Sequence, residues 1–431
     1  MERDAFGDPW PFPPRGARGK ANRVVVVARC APNRASFQHF MKFTAPIVLF
    51  CLLVQQSLLP PAARAQSPPL AFSGAEGFGR LASGGRGGEV FHVTTLADSG
   101  PGSFREAVGK SHRVIVFDVS GIIRLQANVA VASDLTLAGQ TAPGEGIVLY
   151  GRSVSFSGQS NIIVRYLRFR EGIAGDRGKC SVNLSGGADM IFDHCSIEWG
   201  RWDCLGLTQG SHDITFQNCI IGEGVDPQRF GSLSDTVTDI TYARNLWINN
   251  QSRNPKAKGR IQYINNVVYN WGVCGLVGGH SEADHFLDAI GNYFIAGPDS
   301  GGHCVGEFTG TDHVYQKDNI VETNKDGQLH GRTVVAGDFG KGTNAPTFMT
   351  SLTVAPQIKV AILPARAALS DVLANAGCSL RRDSVDARLI DEVKSYGTRG
   401  KIIHDEAEAG GVGELKEIHA VATYTDDAAR N

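Results

Sequence analysis

The sequence predicts an all-β fold, a single-stranded, right-handed parallel β-helix with a short capping helix in front and helical segments at its C-terminal end. Three observations support this. Segments rich in Ile, Val, Phe and Tyr begin at Asp134, Asn161, Asp189, Asp213, Asp239, Arg260, His285 and His313, at successive intervals of 27, 28, 24, 26, 21, 25 and 28 residues. Each runs from a polar residue through alternating or continuous apolar residues to an Asn- or Gly-rich turn, the pattern of a strand, and a period in this range means stacked repeats. Six residues after the polar start stand Cys195, Cys219, Asn245, Asn266 and Asn319, which in-register stacking converts into a ladder of like side chains. Helical solenoids are excluded because the apolar period is two rather than 3.6. Propeller blades need about 40 residues and leucine-rich repeats need a Leu/Asn consensus, and neither is present.

Composition agrees with this choice. Of 431 residues, 52 are glycine, about 12% against a usual ~7%. They are dispersed, which suits many tight turns and excludes collagen. Hydrophobic residues (42%) suffice for a sizeable core, and 42 Lys plus Arg against 43 Asp plus Glu argue against a nucleic-acid partner held by bulk charge.

In chain order, residues 1–40 are rich in Arg and Pro without a core pattern and read as an extension outside the folded protein. Met41-Lys42 opens an apolar run, Ala45 to Val54, that ends at Ala63-Arg64-Ala65. A basic start, a short apolar stretch and a small-residue exit read as a signal peptide over 41–65, too short to span a bilayer comfortably. The protein is therefore expected to be secreted, extracellular or periplasmic, and free of the membrane after cleavage. One β-helix domain is expected over 68–410, followed by an acidic tail over 411–431. A β-helix exposes strand edges at its ends, which must be covered. At the front, Gly102 to Val108 reads as a short helix with Ser103 as N-cap. At the back, ALSDVLANAG and RRDSVDARLIDEVKSYG are the convincing amphipathic stretches, expected to wrap back along the barrel. Seven cysteines follow Ala65, scattered without CxxC pairs. That pattern makes a zinc site improbable and buried thiols the expectation.

Chemistry on such a scaffold belongs to outward-facing strand residues and the loops beside them. One run stands out: Arg253, Lys256, Lys258 and Arg260 place four cations within eight residues, interrupted by Pro255. Arg253 precedes Asn254-Pro255, and the residue before a proline is pushed toward an extended backbone. The run reads as a rigid cationic platform for an anionic polymer, with a solvated turn as the alternative. The segment from Asp193-His194 to Asp203 is the densest polar stretch.

At these residues the chain resembles the secreted pectate lyases of polysaccharide lyase family 1. The segments that carry the resemblance are GGRGGEVFHVTTLADSGPGSFREAV, RVIVFDVSGIIRL, LAGQTAPGEGI, NIIVRYLRFR, MIFDHCSIEWG and SRNPKAKG, in order over about residues 70–405. ANAGCSLRRDSVDARLIDEV is similar to the C-terminal segment of the family's bacterial branch. The resemblance implies β-elimination of polygalacturonate (homogalacturonan) by a monomer, with Arg253 as the base that removes the C5 proton. Lys258 would bind the substrate carboxylate. Lys256 and Arg170 are further candidate substrate-binding cations, and His280 either reaches the groove after the coil of Arg260 or is a turn residue. It also implies Ca²⁺, with Asp203 matching one family carboxylate and Asp176 as a possible helper. Two other family carboxylates fall on Cys180 and Leu207, and a family lysine falls near Val237. Asp193 and His194 match a pair that is mainly structural. Arg168 and Arg170 read either as groove cations or as salt bridges flanking the core, and Trp199, Trp202 and Trp271 either stack on sugars or are buried between coils. An arginine base, with a pKa above ~12, implies an alkaline optimum. The competing readings are a non-catalytic pectin- or uronan-binding β-helix and a lyase for another uronan. A polygalacturonase is disfavoured because its paired-carboxylate signatures are absent.

Overall fold

The computed structural model describes residues 68–420; the expected extension, the leader over 41–65 and the last residues of the tail lie outside them. A 17-stranded sheet and an 11-stranded sheet are built almost entirely from parallel pairs. Leu135, Ile162, Met190, Ile214, Ile240, Ile261, Leu287 and Val314 follow one another in register through the larger sheet, and all are buried. Two positions further along the same strands, Phe192 stacks on Phe216 and Phe216 on Tyr242, with centroids 4.7 and 5.7 Å apart. One side chain per coil thus fills one level of a continuous core.

The residue that opens each coil has a conformational reason to be Asp or Asn. Asp134, Asn161, Asp189, Asp213 and Asp239 all lie in the left-handed region, with φ between 51° and 59°, which short polar side chains tolerate best after glycine. At the next corner the same role falls to His194, Asn218, Arg244, Asn265, Gly291 and Asp318. Immediately after that corner comes the expected ladder. The Cys219 amide donates to Asn245 Oδ1 (2.8 Å), Asn245 to Asn266 (3.0 Å), Asn266 to Asn292 (2.8 Å) and Asn292 to Asn319 (3.0 Å). Asn292 belongs to the series although the sequence spacing omits it. Phe286, not His285, stands opposite Arg260, so this coil opens on an apolar residue and the polar marker sits one place early. The seven cysteines of the described residues are free thiols.

Helix α1 (Phe104–Val108) is capped by Ser103, whose hydroxyl accepts from the Glu106 amide, and it buries Phe104, Ala107 and Val108 against the first coils. Helices α2 (Ala365–Asn375) and α3 (Ser384–Val393) return along the smaller sheet. Leu369, Val372, Leu389, Ile390 and Val393 pack there on Ile220, Leu246, Ile248, Val267 and Tyr293. The body does not stop at 410: Ile418–His419 pairs antiparallel with Val119–Arg124.

This return corrects the reading of Arg170 as a groove cation. Arg168 and Arg170 point out of the smaller sheet, beneath α3, and both are fully buried. Arg170 Nε lies 2.5 Å from Glu198, and its two Nη atoms lie 2.5 Å from Asp383 and 2.8 Å from Asp386. Arg168 bonds Asp386 at 3.2 Å. Three carboxylates share two guanidiniums, and burial pushes Glu198 well above its ordinary value despite Arg170. Arg170→Met is expected to cost about 3–5 kcal/mol, because it leaves buried charge uncompensated, while kcat stays within about twofold below the melting point. Urea unfolding and initial rates check this; a raised KM with unchanged stability would return Arg170 to the groove.

Candidate active site

The cationic run lies on the outer face of the larger sheet. In the strand Lys256–Ile264, Ala257 is buried in the core, so alternation sends Lys256 and Lys258 outward. The neighbouring strand, Phe230–Ala243, sets Leu233 opposite Lys256 and Asp235 opposite Lys258. One coil earlier, Asp203 pairs with Phe230.

Arg253 sits where the chain enters this strand. Its φ is +62°, so Arg253 is not extended; Asn254 is the residue that precedes the cis Pro255. The strain, of order 1 kcal/mol or more, is held by surrounding bonds. Ser232 N donates to Arg253 O (2.7 Å), Asn254 N to Gly275 O (2.9 Å), Asn250 Nδ2 to Asn254 Oδ1 (2.9 Å) and Tyr263 OH to Asn254 O (2.9 Å). Gly231 is required beneath this loop, since a Cβ there would meet Arg253 O at 2.5 Å. Gly231→Ala should therefore displace Arg253 and lower kcat about tenfold or more with the coil stack intact, as initial rates and circular dichroism would show.

The guanidinium reaches back two coils. Arg253 Nη1 lies 3.3 Å from each Asp203 oxygen, and its plane is 4.1 Å above the Phe230 ring centre, a cation–π contact. Nη2 and Nε make no hydrogen bond to another described residue. Burial lifts Asp203 above the ordinary carboxylate range, and Arg253 opposes that only in part. Lys258 pairs with Asp235 at 3.6 Å. Lys256 Nζ lies 3.4 Å from His280 Nε2, and His280 Nδ1 is 3.6 Å from Glu307. Burial and then the Arg253 charge bring Lys256 down to about 8; burial and then Lys256 hold His280 below the imidazole range.

Arg253, Lys256, Lys258, His280 and Asp203 lie near one another on this face, and Arg170 does not. Asp176 is exposed, its carboxylate bonded to Asn128 Nδ2 at 3.0 Å. The residues do not fit calcium. The ion takes six to eight oxygens, whereas Leu207 is buried in the core and Cys180 offers a thiol. Both oxygens of Asp203 already face a guanidinium, and among the described residues no group of three or more His, Cys, Asp or Glu converges. Asp193 accepts from Arg165 Nε (2.8 Å) and Gln217 Nε2 (2.8 Å), while His194 stacks on Tyr166, a corner brace as expected. Trp199 and Trp271 are buried.

Phe230, Gly231, Asp235 and Glu307 escape the sequence reading. Ile240 stands opposite Ile261, 21 residues on, and that spacing would set Lys258 opposite Val237. Two register shifts between the strands move it to Asp235.

The arrangement sets several cations side by side on the outer face of the larger sheet, suited to neutralising a carboxylate while a neighbouring group takes a proton. Among known proteins, the chain is similar to the probable pectate lyase C of Emericella nidulans, with 42% identity over 357 residues and 83% of each chain covered. It is 43% identical over 352 residues to the probable pectate lyase C of Aspergillus terreus, covering 80% of this chain and 82% of that protein. These relatives are fungal, so the resemblance of the C-terminal segment to a bacterial branch finds no support in them. A solved thermostable pectate lyase superposes with a TM-score of 0.54 at 15% identity, over 74% of this chain and 100% of its own. A pectate lyase bound to a hexasaccharide gives 0.51 at 14% identity over 74% of this chain and 100% of its own; at such identities the likeness concerns the fold. No family model matches the sequence.

Proposed function

The chain belongs to the pectate lyase family, and from that premise we propose that it cleaves α-1,4-linked polygalacturonate by β-elimination with Arg253 as the base. The observation that carries the residue assignment is the Arg253 fork, anchored by one Nη on Asp203 and by its face on Phe230, with no hydrogen bond from Nη2 or Nε to another described residue. A C5 proton α to a carboxylate is weakly acidic, and cations beside that carboxylate stabilise the charge that develops as it leaves. Arg253 takes the proton, the C4–O4 bond breaks, C4=C5 forms, and the leaving oxygen is protonated from solvent. A base removes a proton only from its unprotonated form, so the rate should rise with pH on the alkaline side.

Secretion, suggested by the pattern over 41–65, would bring the protein to its polymer as a monomer outside the cell. The donor set does not suit calcium, and no step is assigned to it. Mixing the purified protein with polygalacturonate at alkaline pH and following the ultraviolet absorbance of unsaturated product tests the reading. Product should appear, and a chelator should slow it less than about twofold. Tight binding of polygalacturonate without product would favour a pectin-binding module.

A further inference from the structure

The turns that lead from the smaller sheet into the larger one stack as the coils do. Gln251 N donates to Arg229 O and Val273 N to Gln251 O, each at 2.7 Å. Arg229, Val273 and Gly302 each stand immediately before a strand of the larger sheet. Beside this stack lies a cavity of about 520 Å³, within the usual size of a small-molecule site. Part of its wall is the C-terminal segment. Ile402 N donates to Asp299 Oδ2 (2.7 Å) and Asp226 N to His404 O (2.9 Å), while His404 Nε2 lies 3.3 Å from Arg229 Nη1. These bonds hold the segment across the stacked turns.

The lining keeps polar groups in reserve. Asp299 Oδ1, Arg229 Nη2 and both ends of the Gln251 amide make no hydrogen bond to another described residue. Val273, 41% exposed, supplies an apolar patch. Two of the glycines in the wall are explained by packing. A Cβ on Gly272 would meet Gln251 Oε1 at 2.6 Å, and one on Gly302 would overlap Val273 O. Gly301 has no such reason. Its φ lies outside the left-handed region, and a Cβ there would meet nothing nearer than Asp299 O at 4.0 Å. The space it leaves bare belongs to the cavity.

We propose that this cavity binds a neutral sugar residue, carried as a branch on the acidic polymer, through Gln251, Asp299 and Arg229 with Val273 against the ring. The site itself stands on its lining; the branch as its source rests on the pectate lyase reading. A sugar hydroxyl both donates and accepts, so a vicinal pair matches a carboxylate acceptor, a guanidinium donor and an amide that does both. An acidic sugar suits the site less, because Asp299 opposes it and Arg229 already faces Asp226 at 3.4 Å. Gln251 is two residues ahead of Arg253. The cavity therefore adjoins the coil that carries the base, yet none of the four cations of that run lines it.

The test titrates galactotetraose and arabinotetraose calorimetrically into wild type, Gly301→Leu and Gln251→Ala, with hexagalacturonate as the acidic control. Gly301→Leu fills the cavity without a backbone clash, and Gln251→Ala removes the amide while keeping both backbone bonds of its turn. Wild type should bind at least one neutral oligosaccharide. Gly301→Leu should weaken that binding more than about tenfold and Gln251→Ala about fivefold, the loss of one hydrogen bond, with hexagalacturonate within about twofold. On pectin carrying neutral branches, Gly301→Leu should raise KM about fivefold, with rates on unbranched polygalacturonate unchanged. No neutral binding by wild type, neutral binding by both variants within twofold of wild type, or an equal loss of hexagalacturonate would overturn the site. Neutral binding with an unchanged KM on the branched polymer would overturn the branch as its source, leaving a separate neutral glycan. Absence of product from wild type would sink the lyase reading, and the calorimetric contrast would still decide the cavity.

Discussion

Arg253→Ala is expected to lower kcat on polygalacturonate by about 10²–10⁴-fold, the range for loss of a positioned base. It also strips Asp203, which is only 1% exposed, of its counterion, so part of the loss could come from a disturbed groove. Arg253→Lys separates the two effects. A lysine keeps the charge near Asp203 but loses the planar fork and its contact with Phe230. The lysine variant should melt close to wild type and still be slowed at least a hundredfold. Initial rates of unsaturated product and thermal melts of all three proteins check this. If Arg253→Lys retained more than a tenth of the wild-type rate, the residue would be supplying charge and another group would be the base.

Asn266→Ala is expected to cost about 3–4 kcal/mol of stability, a large effect for one side chain. Asn266 Oδ1 accepts from both the backbone and the side chain of Asn245, at 3.0 Å each, and Asn266 Nδ2 donates to Tyr242 O at 3.0 Å. All of these groups are buried, and each one stranded costs about 1–3 kcal/mol. Denaturant unfolding of the variant should show the loss, with kcat unchanged below the transition. A cost under about 1 kcal/mol would mean that the ladder decorates the coils without holding them. Cys219→Ala, which removes only weak sulfur contacts to Phe192 O and Gln217 O, should cost much less.

These residues show what the chain reveals unaided. The coil repeat, the ladder, the capping helix and the returning helices are legible because each is a local pattern: αL-tolerant Asp or Asn at a corner, alternation along a strand, Ser103 ahead of a helix. The cationic run is legible for the same reason. Arg170 is not. The sequence leaves it between a groove cation and a core-flanking salt bridge, and the choice is decided by Asp383 and Asp386, more than 200 residues later. Asp235 is hidden because two register shifts break the arithmetic of the repeat, and Asn292 because its coil opens on Phe286. Local rules read the elements, while the partners of charged residues depend on distant packing.

The ladder also has a direction. From Cys219 to Asn292 every amide N–H gives its proton to the side-chain oxygen of the coil that follows, and Asn245, Asn266 and Asn292 add a second donation the same way. The residue that follows each ladder position donates the other way: Leu246 N to Cys219 O, Val267 N to Asn245 O and Tyr293 N to Asn266 O, each on the coil before. Truncation from either end should therefore strand buried donors. During synthesis, the amides of Cys219, Asn245, Asn266 and Asn292 wait for the coil that follows.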